Sequence, residues 1–148
     1  MARAHRMVRE SIRPGLSTYD LDIFIRDYVL QAGGQLLFYK YRGFPANSCI
    51  SINEEVVHGI PRKRRKLEDG DVVSVDIGVK LKGFCGDSAW SYRVGEVSEE
   101  ADSLLKAGEE ALSRGIAATL SGGKISVSYT HLRAHETSLH LVCRLLLE

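Results

Sequence analysis

Val72-Val73-Ser74-Val75-Asp76-Ile77-Gly78-Val79, followed by Lys82-Gly83 and Phe84-Cys85-Gly86-Asp87, is the stretch that decides the fold. Its near-continuous run of β-branched residues has the pattern of a strand buried on both faces. Lys82-Gly83 suits a two-residue hairpin turn, so the chain from Phe84 to Val94 is expected to return as an antiparallel partner. Such a turn sets Leu81 opposite Phe84 and therefore Gly78 opposite Asp87. Asp76 then shares a face with Asp87 one diagonal step away, about 7–8 Å between backbones. A four-residue loop keeps the carboxylates on one face, whereas a three-residue loop without a bulge separates them.

A carboxylate inside a run of Val and Ile needs a partner, because burying its charge alone costs several kcal/mol. Two carboxylates on one face repel unless a cation lies between them. Oxygen ligands favour hard divalent ions, and a bridging pair fits a two-metal hydrolytic site whose other ligands come from elsewhere. The plainer alternative stays open: Asp76 pairs with Lys or Arg, and Asp87 caps a turn beside Gly86.

Outward from the hairpin, Cys49-Ile50-Ser51-Ile52 reads as a short strand. Residues 1–10 read as helix, broken at Arg13-Pro14-Gly15. Ser17 and Thr18 are N-cap types, with Asp20 and Asp22 placed to favour the positive end of a helix dipole. Leu21, Phe24, Ile25, Tyr28 and Val29 then mark one buried helical face, which Gly33-Gly34 ends. Ser98 opens a further helix with an apolar face of Leu104, Leu105, Ala111, Leu112 and Ile116, closed by Ser121-Gly122-Gly123.

The chain has 148 residues, 44% hydrophobic and 26% charged, which fits one globular domain or part of one. With 20 Lys+Arg against 19 Asp+Glu, no net charge draws it to nucleic acid or an anionic membrane. No apolar run is long enough to span a bilayer, and no apolar segment behind the N-terminal charges suggests a secretory signal. Cys49, Cys85 and Cys143 are far apart, which excludes a disulfide scaffold or zinc ribbon and suits a reducing cytoplasm.

His58, between Val56-Val57 and Gly59-Ile60-Pro61, suits the lip of a cleft, although lone histidines often serve structure alone. The basic run Arg62-Lys63-Arg64-Arg65-Lys66 reads better as a solvated loop than as a nucleic-acid site. Phe38, Tyr39, Tyr41 and Phe44 fit an apolar pocket or core packing about equally.

Three segments together carry a resemblance. They are Arg13-Pro14-Gly15-Leu16-Ser17-Thr18; Gly43-Phe44-Pro45-Ala46-Asn47-Ser48-Cys49-Ile50-Ser51-Ile52-Asn53 with His58-Gly59-Ile60-Pro61; and Gly70-Asp71-Val72-Val73-Ser74-Val75-Asp76 with Gly86-Asp87. In order and spacing, residues 1–125 resemble the amino-terminal half of the type I methionine aminopeptidases. The implied fold is α/β (α+β type): half of a pita-bread, an antiparallel sheet with helices packed on one face. The implied activity is metal-dependent removal of the N-terminal methionine from nascent proteins, by hydrolysis of the first peptide bond.

By the same resemblance, Asp76 matches a bidentate ligand of one divalent ion and Asp87 the carboxylate bridging two. The metals would be cobalt, manganese, iron or zinc. His58 matches the histidine beside the scissile amide, and Tyr41, Phe44 and Cys49 match the methionine pocket. Phe38 stands where many members carry a small or sulfur-containing residue. Asn53 matches a residue whose backbone carbonyl helps hold a structural monovalent cation. The implied setting is cytoplasmic, with nascent polypeptides as partners, ribosome proximity, no membrane, no specific nucleic acid, and a monomer when full length.

The family's remaining ligands, one His and two Glu, lie in a second half whose motifs do not occur here. The chain alone is therefore expected to be an inactive fragment. Residues 126–148 resemble translated adapter read-through, and His131 and His135 are read as part of a non-native ending. Two alternatives are a metal-free relative binding RNA or protein, and a peptidase cutting before proline. Retention of Asp76, Asp87 and His58 argues against the first, and the Phe44–Pro61 segment against the second.

Overall fold

The computed structural model describes residues 1–119. The chain divides into two compact units, Met1–Ser98 and Glu99–Glu148. In the first, helices α1 (Ala2–Ser11) and α2 (Thr18–Gln31) precede the short strand β1 (Gln35–Leu36) and a 3-10 turn at Tyr41–Gly43. Strands β2 (Cys49–Ile52), β3 (Val72–Leu81) and β4 (Phe84–Arg93) follow.

β3 is the axis of an antiparallel sheet. β4 pairs along its whole length, from Leu81↔Phe84 to Val72↔Arg93. Its other edge is shared by β2, with Cys49 opposite Asp76, and β1, with Leu36 opposite Val79. The turn is the expected two-residue loop. Lys82 (φ 51°) and Gly83 (φ 87°) both take left-handed backbone, the conformation whose twist matches the flanking strands.

Alternation along β3 separates the two jobs of the sheet. Val73, Val75 and Ile77 are completely buried in a core with Ala4 and Val8 of α1, Leu21, Ile25 and Val29 of α2, and Ile50 and Ile52 of β2. Ser74 and Asp76 face the other way and are only half-buried. The expectation of a strand buried on both faces is thus corrected: one face carries the core, and the other borders a cleft.

Ser17 caps α2, accepting from the Asp20 amide at 3.0 Å and donating to the Asp20 carboxylate at 2.6 Å. Thr18 pins the basic segment to this helix start. Its hydroxyl donates to the Arg62 carbonyl and accepts from the Arg62 amide, while its own amide donates to the Arg65 carbonyl. The buried stripe of α2 is narrower than expected: Leu21, Ile25 and Val29 fill it, while Phe24 on its flank is 41% exposed.

The second unit contributes helix α3 (Glu99–Ala118), whose first turn carries Glu99, Glu100 and Asp102 in line with its dipole. Lys106–Asp102 and Arg114–Glu110 pair along its surface. Its expected apolar face is only partly realised. Ala111 and Gly115 are buried, but Leu104, Leu112 and Ile116 are exposed. Ser121-Gly122-Gly123 and residues 126–148, with their histidines, lie outside the described residues.

Candidate metal centre and side-chain pocket

The hairpin register sets Gly78 opposite Asp87 and Asp76 opposite Ala89, so both carboxylates project from the cleft face of adjacent strands. They approach closely enough to share a hydrogen bond when one of them is protonated. Burial, then the charge of Asp87 and that hydrogen bond, raise the Asp76 pKa from 3.8 to about 6; His58 and the Ile77 backbone oppose the rise. Among the described residues the pair has no Lys or Arg counterion in the recorded ion pairs. Such an arrangement suits a shared divalent cation, which would relieve the repulsion that the protein leaves in place.

His58 reaches the same cleft by a different device. Gly59 lies flat on β2: its carbonyl accepts from the Ile50 amide at 2.9 Å, and its amide donates to Ser51 Oγ at 3.0 Å. A Cβ on Gly59 would sit 2.1 Å from the Ile50 carbonyl oxygen, so only glycine fits. This clamp holds His58 in left-handed backbone (φ 59°), a strained conformation for a non-glycine residue.

The segment from Phe38 to Phe44 coils tightly. Lys40 and Arg42 have positive φ, and the Tyr41, Lys40 and Phe44 amides donate respectively to the carbonyls of Phe38, Phe44 and Tyr41. The coil turns Phe38, Tyr41 and Phe44 toward Cys49, His58, Asp76 and Asp87, and together these line a cavity of about 600 Å³. Cys49 is buried there, and burial together with the charges of Asp76, Asp87 and Asp22 pushes its thiol up to about 11, so it stays protonated and apolar. A second cavity of about 660 Å³ shares Pro45 and Ile60 with the first but lacks the carboxylate pair.

Asn53 stands outside this cavity. Its side chain donates to Asp71 Oδ1 and accepts from the Val72 amide, and its backbone is left-handed at φ 53°. Asp22 is the residue that sequence reasoning misassigned. It does not serve the helix dipole but is 2% exposed, accepting from the backbone and side chain of both Asn47 and Ser48. Those bonds fix the segment that delivers Cys49 into the cavity.

No third His, Cys, Asp or Glu among the described residues completes a metal cluster. The oxygen pair therefore fits part of a divalent-ion site.

A carboxylate pair facing a cleft on an antiparallel sheet suits a metallopeptidase, and the chain belongs to metallopeptidase family M24, whose model matches residues 1–140. That membership implies dependence on divalent metal. Within the family the similarity is to methionine aminopeptidases. Methionine aminopeptidase 1 of Bacillus subtilis is 42% identical over 126 residues, 85% of this chain and 50% of the relative. The Borreliella burgdorferi enzyme is 45% identical over 118 residues, 80% and 47% of the two chains. The crystal structure of the Thermotoga maritima methionine aminopeptidase superimposes with a TM-score of 0.77 at 36% identity, covering 81% of this chain and 48% of that one. The chain spans about half the length of the curated relatives it matches, and its fold is the amino-terminal half of a pita-bread. Among the described residues no helix is long and apolar enough to cross a membrane.

Proposed function

We propose that the whole protein is a methionine aminopeptidase that hydrolyses the first peptide bond of nascent chains beginning with Met. This chain would supply the side-chain pocket, a histidine and two of the metal-ligating carboxylates. The observation that carries the reading is the β3–β4 register, which brings Asp76 and Asp87 together beside His58 in one aromatic-walled cavity.

In this reading Asp76 and Asp87 would hold divalent metal. Metal bound there would supply Lewis acidity toward the scissile carbonyl. His58, at the rim, hydrogen-bonds the amide as charge develops on it. Tyr41, Phe44 and the protonated Cys49 would line the slot for the methionine side chain. The Asn53 carbonyl would help hold a structural monovalent cation. The ions are drawn from cobalt, manganese, iron and zinc, and the setting is cytoplasmic, as a monomer near the ribosome.

The test joins this chain to the carboxyl-terminal half of the Bacillus subtilis relative and follows methionine release from a Met-Gly-x peptide. Activity should require divalent metal and vanish in Asp87→Ala. His58→Ala should lower kcat while sparing metal binding. The unjoined chain should show no turnover. Equal activity in the Asp87→Ala hybrid and its parent refutes the assignment.

A further inference from the structure

Gly78 lies between Asp76 and Lys80 on the cleft face of β3, directly opposite Asp87. Its backbone is not among the positive-φ positions, so conformation does not demand glycine there. Space does. A Cβ on Gly78 would lie 2.7 Å from Cε1 and 3.1 Å from Cζ of Phe38, inside any normal contact. The Phe38 ring thus rests on bare backbone. It is held there because the Leu37 amide donates to the Gly78 carbonyl at 2.9 Å, one step beyond the Leu36↔Val79 pair. On its other side the ring meets Phe44 edge to face, 6.5 Å between centroids at 84°.

Seated between the Gly78 backbone and Phe44, Phe38 has little freedom to swing aside. It lines the cavity over Gly78, opposite Asp87, and fills space that a longer or wider guest side chain would otherwise enter. We infer that the Phe38–Gly78 contact sets the depth of this pocket. Gly78, which itself presents no side chain to a guest, thereby determines through Phe38 which N-terminal side chain is accepted. A slender chain of methionine's size fits beside the ring, while an aromatic one collides with it. This inference rests on the aminopeptidase reading and deepens it: Phe38 is the specificity-determining residue and Gly78 its positioning residue.

The experiment uses the hybrid described above, with peptides beginning in Met, norleucine or Phe. Phe38→Ala should lower the preference for Met over Phe by about tenfold or more, the range that added or lost space in an apolar pocket produces. Phe38→Leu, which keeps an apolar filler, should give an intermediate preference and guards against a folding failure in Phe38→Ala. Gly78→Ala should drive the ring into the cavity and lower kcat/KM for the Met peptide by about tenfold or more, chiefly through KM. The discriminating result comes from the double variant. In Phe38→Ala/Gly78→Ala the loss caused by Gly78→Ala should disappear, leaving the relaxed preference of Phe38→Ala alone. An active parent whose preference is unchanged by Phe38→Ala overturns the inference, as does a Gly78→Ala loss of equal size with and without Phe38. A parent hybrid that releases no residue from any peptide overturns the aminopeptidase reading itself, and the pocket assignment falls with it.

Discussion

Replacing Asp87 by Asn should make the metal-free chain more stable while weakening its hold on divalent metal. The opposite signs follow from the site. Without metal, the Asp76 pKa stands at about 6 against an ordinary 3.8, with burial the largest cause and the Asp87 charge the next. At face value that displacement corresponds to about 3 kcal/mol. Asp76 is only half-buried and water screens the pair, so about 1 kcal/mol is the realistic penalty. Asp87 accounts for part of it, and its neutralisation should return roughly 0.5–1 kcal/mol at pH 8.

The pH dependence has a definite sign. Between pH 3.8 and about 6 the folded chain holds a proton on Asp76 that the unfolded chain has lost, so stability falls as pH rises through that window. The penalty is complete above it. Asp87→Asn should flatten this slope. Urea unfolding in EDTA at pH 5 and pH 8 measures it, followed by the fluorescence of Trp90, the sole tryptophan, which packs against the core. Calorimetric titration with Mn²⁺ or Co²⁺ supplies the other half of the test. An Asp87→Asn chain that is less stable at pH 8, or that binds metal as its parent does, would show Asp87 to be a structural cap and refute the reasoning.

Three further outcomes are expected. Gly59→Ala should cost about 2–4 kcal/mol in urea unfolding, because a Cβ 2.1 Å from the Ile50 carbonyl oxygen forces the loop off β2 and breaks both of its clamping hydrogen bonds; a smaller loss than about 1 kcal/mol would mean the loop relaxes freely. Asp22→Ala should cost about 3 kcal/mol or more by leaving the Asn47 and Ser48 donors unpaired, and should speed the reaction of Cys49 with a thiol reagent as its segment loosens. Burial, opposed by the hydrogen bond to the Ser88 carbonyl, lowers the His5 pKa below 6.5, so its contribution is present above that value and lost as pH falls through the folded-state pKa; His5→Gln in the Asp87→Asn background should remove this part of the acid loss, read as midpoint against pH.

The hairpin and its two aspartates were legible because a two-residue turn and strict alternation leave one register to choose. The core stripe of α2 was legible from Leu21, Ile25 and Val29. What escaped was set by distant contacts. Asp22 sits just past the first turn of α2, near enough to its start that a dipole role is the natural local reading, but its donors are 25 and 26 residues away. Lys40 and Arg42 adopt left-handed backbone without being Gly or Asn, because the coil from Phe38 to Phe44 is closed by its own hydrogen bonds. Gly59 and Gly78 look alike in the sequence as turn or strand glycines, yet each is bare because another group, a β2 backbone or a phenyl ring, occupies its Cβ space.

β3 therefore serves the core through Val73, Val75 and Ile77 and the cleft through Ser74, Asp76 and Gly78, and a slip of one residue would exchange the two sets. The turn is the pin that prevents this, and it is held under strain. Lys82 has φ 51°, a region that costs a residue with a Cβ about 1–2 kcal/mol and costs Asn less. Lys82→Asn should thus stabilise the chain by about 0.5–1 kcal/mol in urea unfolding, since Asn-Gly is the favoured pair for this turn. It should leave metal affinity unchanged, because Gly78 stays opposite Asp87 whatever the turn's strain. If relieving the turn altered metal binding as well, the strain at Lys82 and not the register alone would position the carboxylates, and the register argument for the site would fail.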